Sequence, residues 1–360
     1  MEHVLQLHMT NKCNLKCKYC YINQDEEVLT FESLKKQMNC VENLSVMTDV
    51  QFSGEYNVTY FGGEPLLEIN KIILFDEWMK NNYNIKFSFL QTNALLSNEE
   101  IKNILKLHHI NIGISCDGEC DNNHSNFEQL VKNNIVPVQA KAMISNHNPS
   151  IMKVVNYFYK LAMENDCDDL YMDISFVKDD VWNENNLIVI KKELLKLKEF
   201  LIFHYKNYHR WIRIGFVERV LDNIVSGKRN FVCFAGKNGF SLTPSGIIYP
   251  CSRFYTNDYY RLCDSNENKY YHDNIKFVAE HNITINDKCN QCKINKFCNQ
   301  GCLYVQYKNG DIVDGYCLLL KEIYNMVSSL YLFMNKEYNI DITKKDGGII
   351  EQSWNIHQYG

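Results

Sequence analysis

The chain has 360 residues, of which 46% are hydrophobic and 22% are charged, a composition typical of a folded globular protein. The formal net charge of −5 argues against nucleic acid as a general partner. The sequence shows no secretory signal pattern and no run of the roughly 18 apolar residues that a membrane span requires, so we expect a cytoplasmic protein without membrane association.

Up to about residue 205, short apolar runs alternate with amphipathic stretches. Repeated strand–helix units of this kind predict right-handed crossovers and a parallel sheet. Six units are too few for a closed eight-stranded barrel, so we predict an α/β fold built on a partial (β/α)6 TIM barrel. The predicted strands cover residues 3–9, 57–61, 85–91, 111–116, 135–144 and 170–176, and the predicted helices cover residues 31–46, 69–82, 98–107, 126–132, 149–165 and 185–208.

The C-terminal part of the sequence is rich in cysteine. Eight of the fifteen cysteines fall within residues 233–317, where turn residues gather and periodicity weakens. Cytoplasmic thiols stay reduced, so such a cluster indicates metal binding rather than disulfides. A segment with so little apolar core needs metal for its stability. We therefore divide the chain into a barrel at 1–210, a bridging region at 211–232, a cysteine-rich domain at 233–320, and a C-terminal helix and tail at 321–360.

Three cysteines follow the first predicted strand with the spacing C-x3-C-x2-C. Cys13, Cys17 and Cys20 can hold three irons of a cubane cluster and leave the fourth iron open, whereas iron–sulfur clusters normally take four cysteines. Loops at the carboxyl ends of barrel strands build active sites, and this loop lies at such an end. A zinc knuckle is the alternative, but zinc prefers four closed ligands and the sequence offers no fourth one nearby.

This loop resembles that of the radical S-adenosylmethionine (SAM) superfamily, including an aromatic residue, Tyr19, before the last cysteine. The resemblance implies a 4Fe-4S cluster whose open iron chelates the amino and carboxylate groups of SAM. Reduction of SAM by one electron then yields a 5′-deoxyadenosyl radical. Cys13, Cys17 and Cys20 are thus candidate catalytic residues as well as metal ligands.

Further segments resemble the SAM-binding elements of the same superfamily. Gly62-Gly63-Glu64 follows the second predicted strand, and glycines there let the backbone approach a ligand closely. Asn93 ends a Gln-Thr-Asn element, and Ser115 and Asp117 belong to a Ser-x-Asp-Gly element; each could instead be an ordinary turn residue at a strand end. The resemblance implies the following contacts: Tyr19, Gly62, Gly63, Glu64, Asn93, Ser115 and Lys141 bind the cofactor, and Asp117 shapes the pocket or meets the substrate.

The later cysteines resemble the seven-cysteine SPASM domain, which carries two auxiliary 4Fe-4S clusters and brings the total to three. The resemblance assigns Cys289, Cys292, Cys298 and Cys317 to an outer cluster, and Cys233, Cys251 and Cys302 to an inner one. The fourth inner ligand of relatives is missing here. Either Cys263 fills that place, or an iron is open and binds substrate, for which a cysteine thiolate is suited.

The combination of radical SAM and SPASM elements implies action on a peptide. We predict a maturase that abstracts hydrogen from a ribosomally made precursor peptide and installs a thioether or carbon–carbon crosslink, with flavodoxin or ferredoxin as reductant. Because no peptide-recognition domain precedes Cys13, recognition is expected from a separate protein or from the barrel surface. The alternatives are a formylglycine-forming sulfatase maturase, although its acidic residue is replaced by Ser252, and a non-catalytic iron–sulfur scaffold or electron carrier.

Overall fold

Within the part of the chain that the structure describes, the fold is centred on one mixed sheet of ten strands. The computed structural model describes residues 2–17, 20–48, 52–117, 138–165, 170–179, 181–229, 233–280, 287–298, 301–310 and 313–338. Six strands pair in parallel and in chain order, which is the arrangement of a partial (β/α)6 barrel. They are β1 (His3–His8), β2 (Glu55–Phe61), β3 (Asn84–Thr92), β4 (Asn111–Ser115), β5 (Val138–Ile144) and β6 (Tyr171–Phe176).

Helices connect the parallel strands, and local side chains set where several of them begin. They are α1 (Phe31–Met47), α2 (Ile69–Asn82), α3 (Glu99–Leu107), α4 (Ile151–Glu164) and α5 (Glu184–Tyr208). The side chains of Thr30, Asn98, Ser150 and Asn183 each accept a hydrogen bond from a backbone N–H of the first turn that follows. The helix predicted at 126–132 lies outside the described residues.

The two faces of the parallel sheet differ in chemistry, because successive side chains of a strand point to opposite sides. One face is apolar and packs against the helices, with Leu5, Leu7, Val58, Tyr60, Leu90, Ile112, Ile114, Ala140, Ile144 and Ile174 all buried. The other face is mainly polar and lines the barrel interior. Register places the following side chains there: Gln6, His8, Thr59, Gln91, Ser115, Gln139, Lys141, Asp173 and Ser241.

The cysteine-rich region extends the same sheet, which the sequence patterns did not predict. After α6 (Gly215–Ser226), strand β7 (Gly239–Leu242) pairs in parallel with β1 on the side opposite β2. Strands β8 (Ile247–Tyr249), β9 (Cys263–Asp264) and β10 (Lys269–Tyr270) then continue the sheet in antiparallel fashion. These strands have two to four residues, too few to show a periodic pattern. The region therefore shares the hydrophobic core of the barrel.

Four helices complete the described chain: α7 (His272–Glu280), α8 (Asp287–Asn290), α9 (Leu303–Asn309) and α10 (Asp314–Tyr338). By length and composition alone, α10 is apolar enough to cross a membrane. It packs against α5 and α6 and buries Leu319, Val327 and Leu330 completely. One side of α10 thus packs within the fold, whereas Leu318, Leu332 and Phe333 on the same helix are exposed.

Candidate active site

The first cysteine loop lies at the carboxyl end of β1. Cys13 is half-buried, whereas Cys17 and Cys20 are exposed. The Cys20 N–H donates to the Cys17 carbonyl (3.1 Å), and the Leu15 N–H donates to the Cys13 sulfur (3.4 Å). Burial raises the pKa of the Cys13 thiol, and the nearby Glu64 and Cys20 add to that rise. The loop therefore presents three thiols, two of them accessible, beside a buried carboxyl group.

The Gly62-Gly63 pair packs directly against the chain that leads into this loop. The Gly63 N–H donates to the Thr10 carbonyl (2.8 Å), and the Glu64 N–H donates to the Lys12 carbonyl (2.7 Å). A Cβ on Gly63 would lie 2.0 Å from the Lys12 carbonyl oxygen. Gly62 has φ = +138°, and its Cβ would lie 2.4 Å from the Thr10 carbonyl oxygen. Both glycines are required here for contact between two backbone segments.

Glu64 joins the β2 loop to the end of β3. Its carboxylate is fully buried and accepts hydrogen bonds from the Thr92 hydroxyl (2.6 Å), the Asn93 N–H (2.9 Å) and the Leu66 N–H (2.9 Å). Burial raises the pKa of Glu64, although these three donors oppose the rise. Asn93 in turn donates from its side chain to the Asn14 side chain in the cysteine loop (2.8 Å). The Gly-Gly-Glu and Gln-Thr-Asn elements thus hold the cysteine loop from two sides.

A charged row crosses the interior face at β4, β5 and β6. Register places Ser115 beside Lys141, and Lys141 beside Asp173. The Lys141 ammonium lies 3.8 Å from the Asp173 carboxylate and donates to the Gln91 side chain (3.3 Å), while Arg219 of α6 lies 3.0 Å from the same carboxylate. Burial lowers the pKa of Lys141, and Asp173 opposes this effect. The row offers a cation and a hydroxyl to an anionic ligand in the barrel.

Asp117 follows this row at the end of β4. Its carboxylate accepts a hydrogen bond from the Met143 N–H of β5 (2.8 Å). It therefore fixes the chain that leaves β4 against the neighbouring strand. Tyr19 lies outside the described residues.

Three distant cysteines meet near the barrel to form what we call the inner thiol group: Cys233, Cys251 and Cys302. Burial raises the pKa of Cys251, and the neighbouring Cys233 and Cys302 raise it further. Burial likewise raises the pKa of Cys233, with Cys302 contributing. Ionising these thiols costs free energy because each thiolate is buried and because neighbouring thiolates repel one another. A bound metal cation offsets both the burial and the repulsion, so the group is suited to a metal centre.

Cys263 does not join the inner thiol group in this structure. It lies on β9, fully buried, where its thiol forms a hydrogen bond with the thiol of Cys40 on α1.

The remaining C-terminal cysteines form a second set, the outer thiol group: Cys289, Cys292, Cys298 and Cys317. Burial raises the pKa of Cys317 to about 11, with further contributions from Cys298 and Cys289. The Cys292 N–H donates to the Cys289 carbonyl (3.0 Å) in a tight turn. Among the described residues, no three His, Cys, Asp or Glu side chains converge closely enough for a single metal ion. The donor chemistry of both groups, all thiol, is that of iron–sulfur ligands.

A 3₁₀-helix at Ser252–Thr256 connects the inner thiol group to the first cysteine loop. The Tyr21 hydroxyl, next to Cys20, donates to the Ser252 hydroxyl (2.9 Å), and the Ser252 N–H donates to the Gln6 side chain (2.9 Å). The Asn11 side chain donates to the Tyr255 hydroxyl (2.7 Å). The sequence interpretation did not identify Tyr21 or Asn11; their positions beside the cysteine motif were the available signal.

His8 occupies the interior face between the rings of Phe61 and Tyr255, at centroid distances of 5.1 and 5.0 Å. It is fully buried, and neither ring nitrogen has a hydrogen-bond partner within the described part of the chain. Burial lowers its pKa to about 3, so the imidazole is neutral at physiological pH. Nothing in the sequence patterns distinguished it from a buried strand residue.

Comparisons with known proteins identify a family match and several relatives of this chain. Residues 7–134 match the radical SAM superfamily. An uncharacterized protein from Methanocaldococcus jannaschii is 38% identical over 122 residues, a match that spans 33% of this chain and only 39% of that protein. A cysteine-type anaerobic sulfatase-maturating enzyme from Clostridium perfringens is 24% identical, covering 87% of this chain and 92% of the enzyme. The radical SAM cyclopropyl synthase TigE from Paramaledivibacter caminithermalis is 23% identical, covering 94% and 76%.

The solved structures show the same fold. Native anSMEcpe with bound AdoMet and the Cp18Cys peptide matches with a TM-score of 0.70 and 21% identity, covering 92% of this chain and 99% of that chain. The predicted α/β architecture with a parallel sheet is therefore confirmed, and the cysteine-rich C-terminal region is consistent with a SPASM domain. Residues 7–134 therefore form a radical SAM domain, and most of the chain is similar to sulfatase-maturating enzymes and to the cyclopropyl synthase TigE.

Proposed function

We propose that this radical SAM enzyme is a peptide maturase that uses a 5′-deoxyadenosyl radical to install a thioether or carbon–carbon crosslink in a ribosomally made precursor. The observation that carries the proposal is the convergence of three thiols, Cys13, Cys17 and Cys20, with the two SAM-type elements at one edge of the sheet. AdoMet and a peptide are bound together in a relative of the same fold. When bound, the cluster and SAM supply the radical.

The chain's own residues position the reactants. Cys13, Cys17 and Cys20 would hold three irons, and the absence of a fourth cysteine leaves one iron for SAM. Lys141 would pair with the SAM carboxylate, held by Asp173 and Gln91, and Ser115 beside it would donate a hydrogen bond. The apolar face of the sheet, which packs against the helices, excludes water from the side of the sheet opposite this site.

The inner and outer thiol groups would hold two auxiliary 4Fe-4S clusters, which gives three clusters in all. The contact between Tyr21 and Ser252 joins the first cysteine loop to the inner thiol group, so a substrate radical formed at one would lie close to an electron acceptor at the other. With Cys263 committed to Cys40, the fourth inner position is available to a substrate thiolate.

Formylglycine formation is the second candidate, favoured by the similarity to sulfatase-maturating enzymes over most of the chain. Ser252 follows Cys251 at the place where that subgroup carries an acidic residue. Its hydroxyl accepts a hydrogen bond from Tyr21 and cannot serve as a carboxylate base.

Anaerobic reconstitution with iron and sulfide, followed by incubation with SAM and dithionite, tests the proposal. We expect 5′-deoxyadenosine from the wild-type protein and none from Cys17→Ala, with Cys40→Ala as the matched control that retains activity. Co-expression with a precursor peptide, to be sought among the neighbouring open reading frames, should yield a mass loss of two hydrogens per crosslink. Absence of 5′-deoxyadenosine would leave the scaffold or electron-carrier alternative, and a formylglycine product from a sulfatase peptide would establish the second candidate.

A further inference from the structure

Two cationic side chains lie beside the inner thiol group. Lys178 follows β6 and lines a small pocket together with Cys302 and Tyr316. Arg253 is the second residue after Cys251, in the 3₁₀-helix that contacts the first cysteine loop. One cation comes from the barrel and the other from the cysteine-rich region, so they approach the thiols from different elements.

Arg253 is held in a fixed orientation. Its guanidinium lies 2.8 Å from the carboxylate of Asp179, the residue after Lys178. It also lies over the rings of Tyr21 (5.7 Å) and Tyr304 (5.6 Å). These contacts place the Arg253 charge between the first cysteine loop and the inner thiol group.

Lys178 has a different set of neighbours. Within the described residues no carboxylate forms an ion pair with it. Lys178 instead lines a small pocket with Tyr316 and with Cys302, a member of the inner thiol group. Its positive charge therefore lies at that group without a carboxylate partner among the described residues.

We propose that Lys178, assisted by Arg253, raises the reduction potential of the cluster at the inner thiol group. The inference rests on the proposed function, which assigns a 4Fe-4S cluster to these cysteines. Reduction adds one electron and one negative charge to a cluster, so a nearby positive charge stabilises the reduced form more than the oxidised form. Lys178 and Arg253 would thus favour transfer of an electron from the substrate radical to the inner cluster, without themselves contacting the substrate.

The test is an EPR-monitored dithionite titration of the anaerobically reconstituted full chain. In Lys178→Met, the equilibrium constant for one-electron reduction of the inner cluster should fall about tenfold, equivalent to ~59 mV for one electron. Lys178→Arg retains the positive charge, so the reduction potential of its inner cluster should stay close to that of the wild type. The exposed Lys106→Met on α3 is the matched control, and the other two clusters serve as internal controls.

The outcomes separate the inference from the function on which it rests. Protein that assembles no auxiliary cluster would contradict the proposed function itself. An assembled inner cluster with an unchanged potential in Lys178→Met would overturn this inference alone. Should Lys178→Met fail to assemble the inner cluster, Arg253→Met must lower its potential; loss of the cluster in both variants would show that the two cations are structural and would also overturn the inference.

Discussion

The contact between the Gly-Gly-Glu segment and the cysteine loop allows a quantitative test with Gly63→Ala. The new Cβ would lie 2.0 Å from the Lys12 carbonyl oxygen and 2.8 Å from that of Asn11. Both are backbone atoms, so no change of rotamer relieves the overlap. The two segments must separate, which also breaks the backbone hydrogen bonds from Gly63 to Thr10 and from Glu64 to Lys12.

Overpacking of this kind costs ~1–3 kcal/mol, and two backbone hydrogen bonds contribute about 1 kcal/mol each. The local contact therefore loses ~3–5 kcal/mol. Because the strain lies at the end of β1 and outside the apolar core, we expect the cysteine loop to move while the sheet remains folded. The variant should bind about four fewer irons per chain, the content of one cluster, and form no 5′-deoxyadenosine.

Iron analysis, circular dichroism and the 5′-deoxyadenosine assay measure these effects. Gly54→Ala is the matched control: Gly54 has φ = +82° but nothing within 4 Å of its Cβ position. It should cost only the ~1–2 kcal/mol of left-handed strain and keep all of its iron. If Gly63→Ala retained full iron and activity, the two segments could not be in the contact described.

Two further variants probe buried charge and polarity on the interior face. His8→Phe removes two ring nitrogens that have no partner among the described residues, so it should raise the free energy of unfolding at neutral pH by ~1 kcal/mol. The pKa of folded His8 is lowered from 6.5 to about 3, so its stability contribution is present above pH 6.5 and is lost as pH falls toward 3; His8→Phe should flatten that acid limb in urea titrations. Asp173→Asn removes the carboxylate between Lys141 and Arg219 and should destabilise the fold by ~3–5 kcal/mol, measured by urea unfolding.

Matched substitutions separate these effects from a nonspecific loss of stability. His3 is also fully buried, but its nitrogens contact the Ser45 hydroxyl (2.5 Å) and the Asn238 carbonyl (3.3 Å), so His3→Phe should destabilise the protein. Asp258 pairs with Arg261 at the surface and accepts a hydrogen bond from the Tyr249 hydroxyl (3.0 Å); because an amide oxygen still accepts that bond, Asp258→Asn should cost at most ~1 kcal/mol. A stabilised His3→Phe, or equal losses in Asp173→Asn and Asp258→Asn, would contradict the reasoning from burial.

Much of the barrel could be predicted from the sequence, because the information is local. Apolar and polar residues alternate along β1 to β6 because one face of the sheet packs against helices and the other lines the barrel interior. The predicted strands differ from the observed ones by a few residues. The helices begin where Thr30, Ser150 and Asn183 can accept a first-turn N–H. The short spacings in the cysteine motifs likewise place thiols on one loop without reference to the rest of the chain.

The C-terminal strands could not be predicted in this way. Strand β9 has two residues, and its place in the sheet depends on pairing with β8. Strand β7 joins the sheet through β1, more than two hundred residues earlier in the chain. A short stretch of sequence never contains both β7 and β1. Strand β7 therefore has no local sequence pattern from which its pairing could be predicted.

By itself, the sequence determined the cysteine spacings, the strand order of the barrel and the chemistry of each strand face, since these depend on neighbours within a few residues. Only the tertiary structure decided that Cys263 pairs with Cys40 and that Tyr21 contacts Ser252. These contacts arise from packing between segments distant along the chain. Their free energy comes from burial and hydrogen bonds that exist only after the sheet has formed.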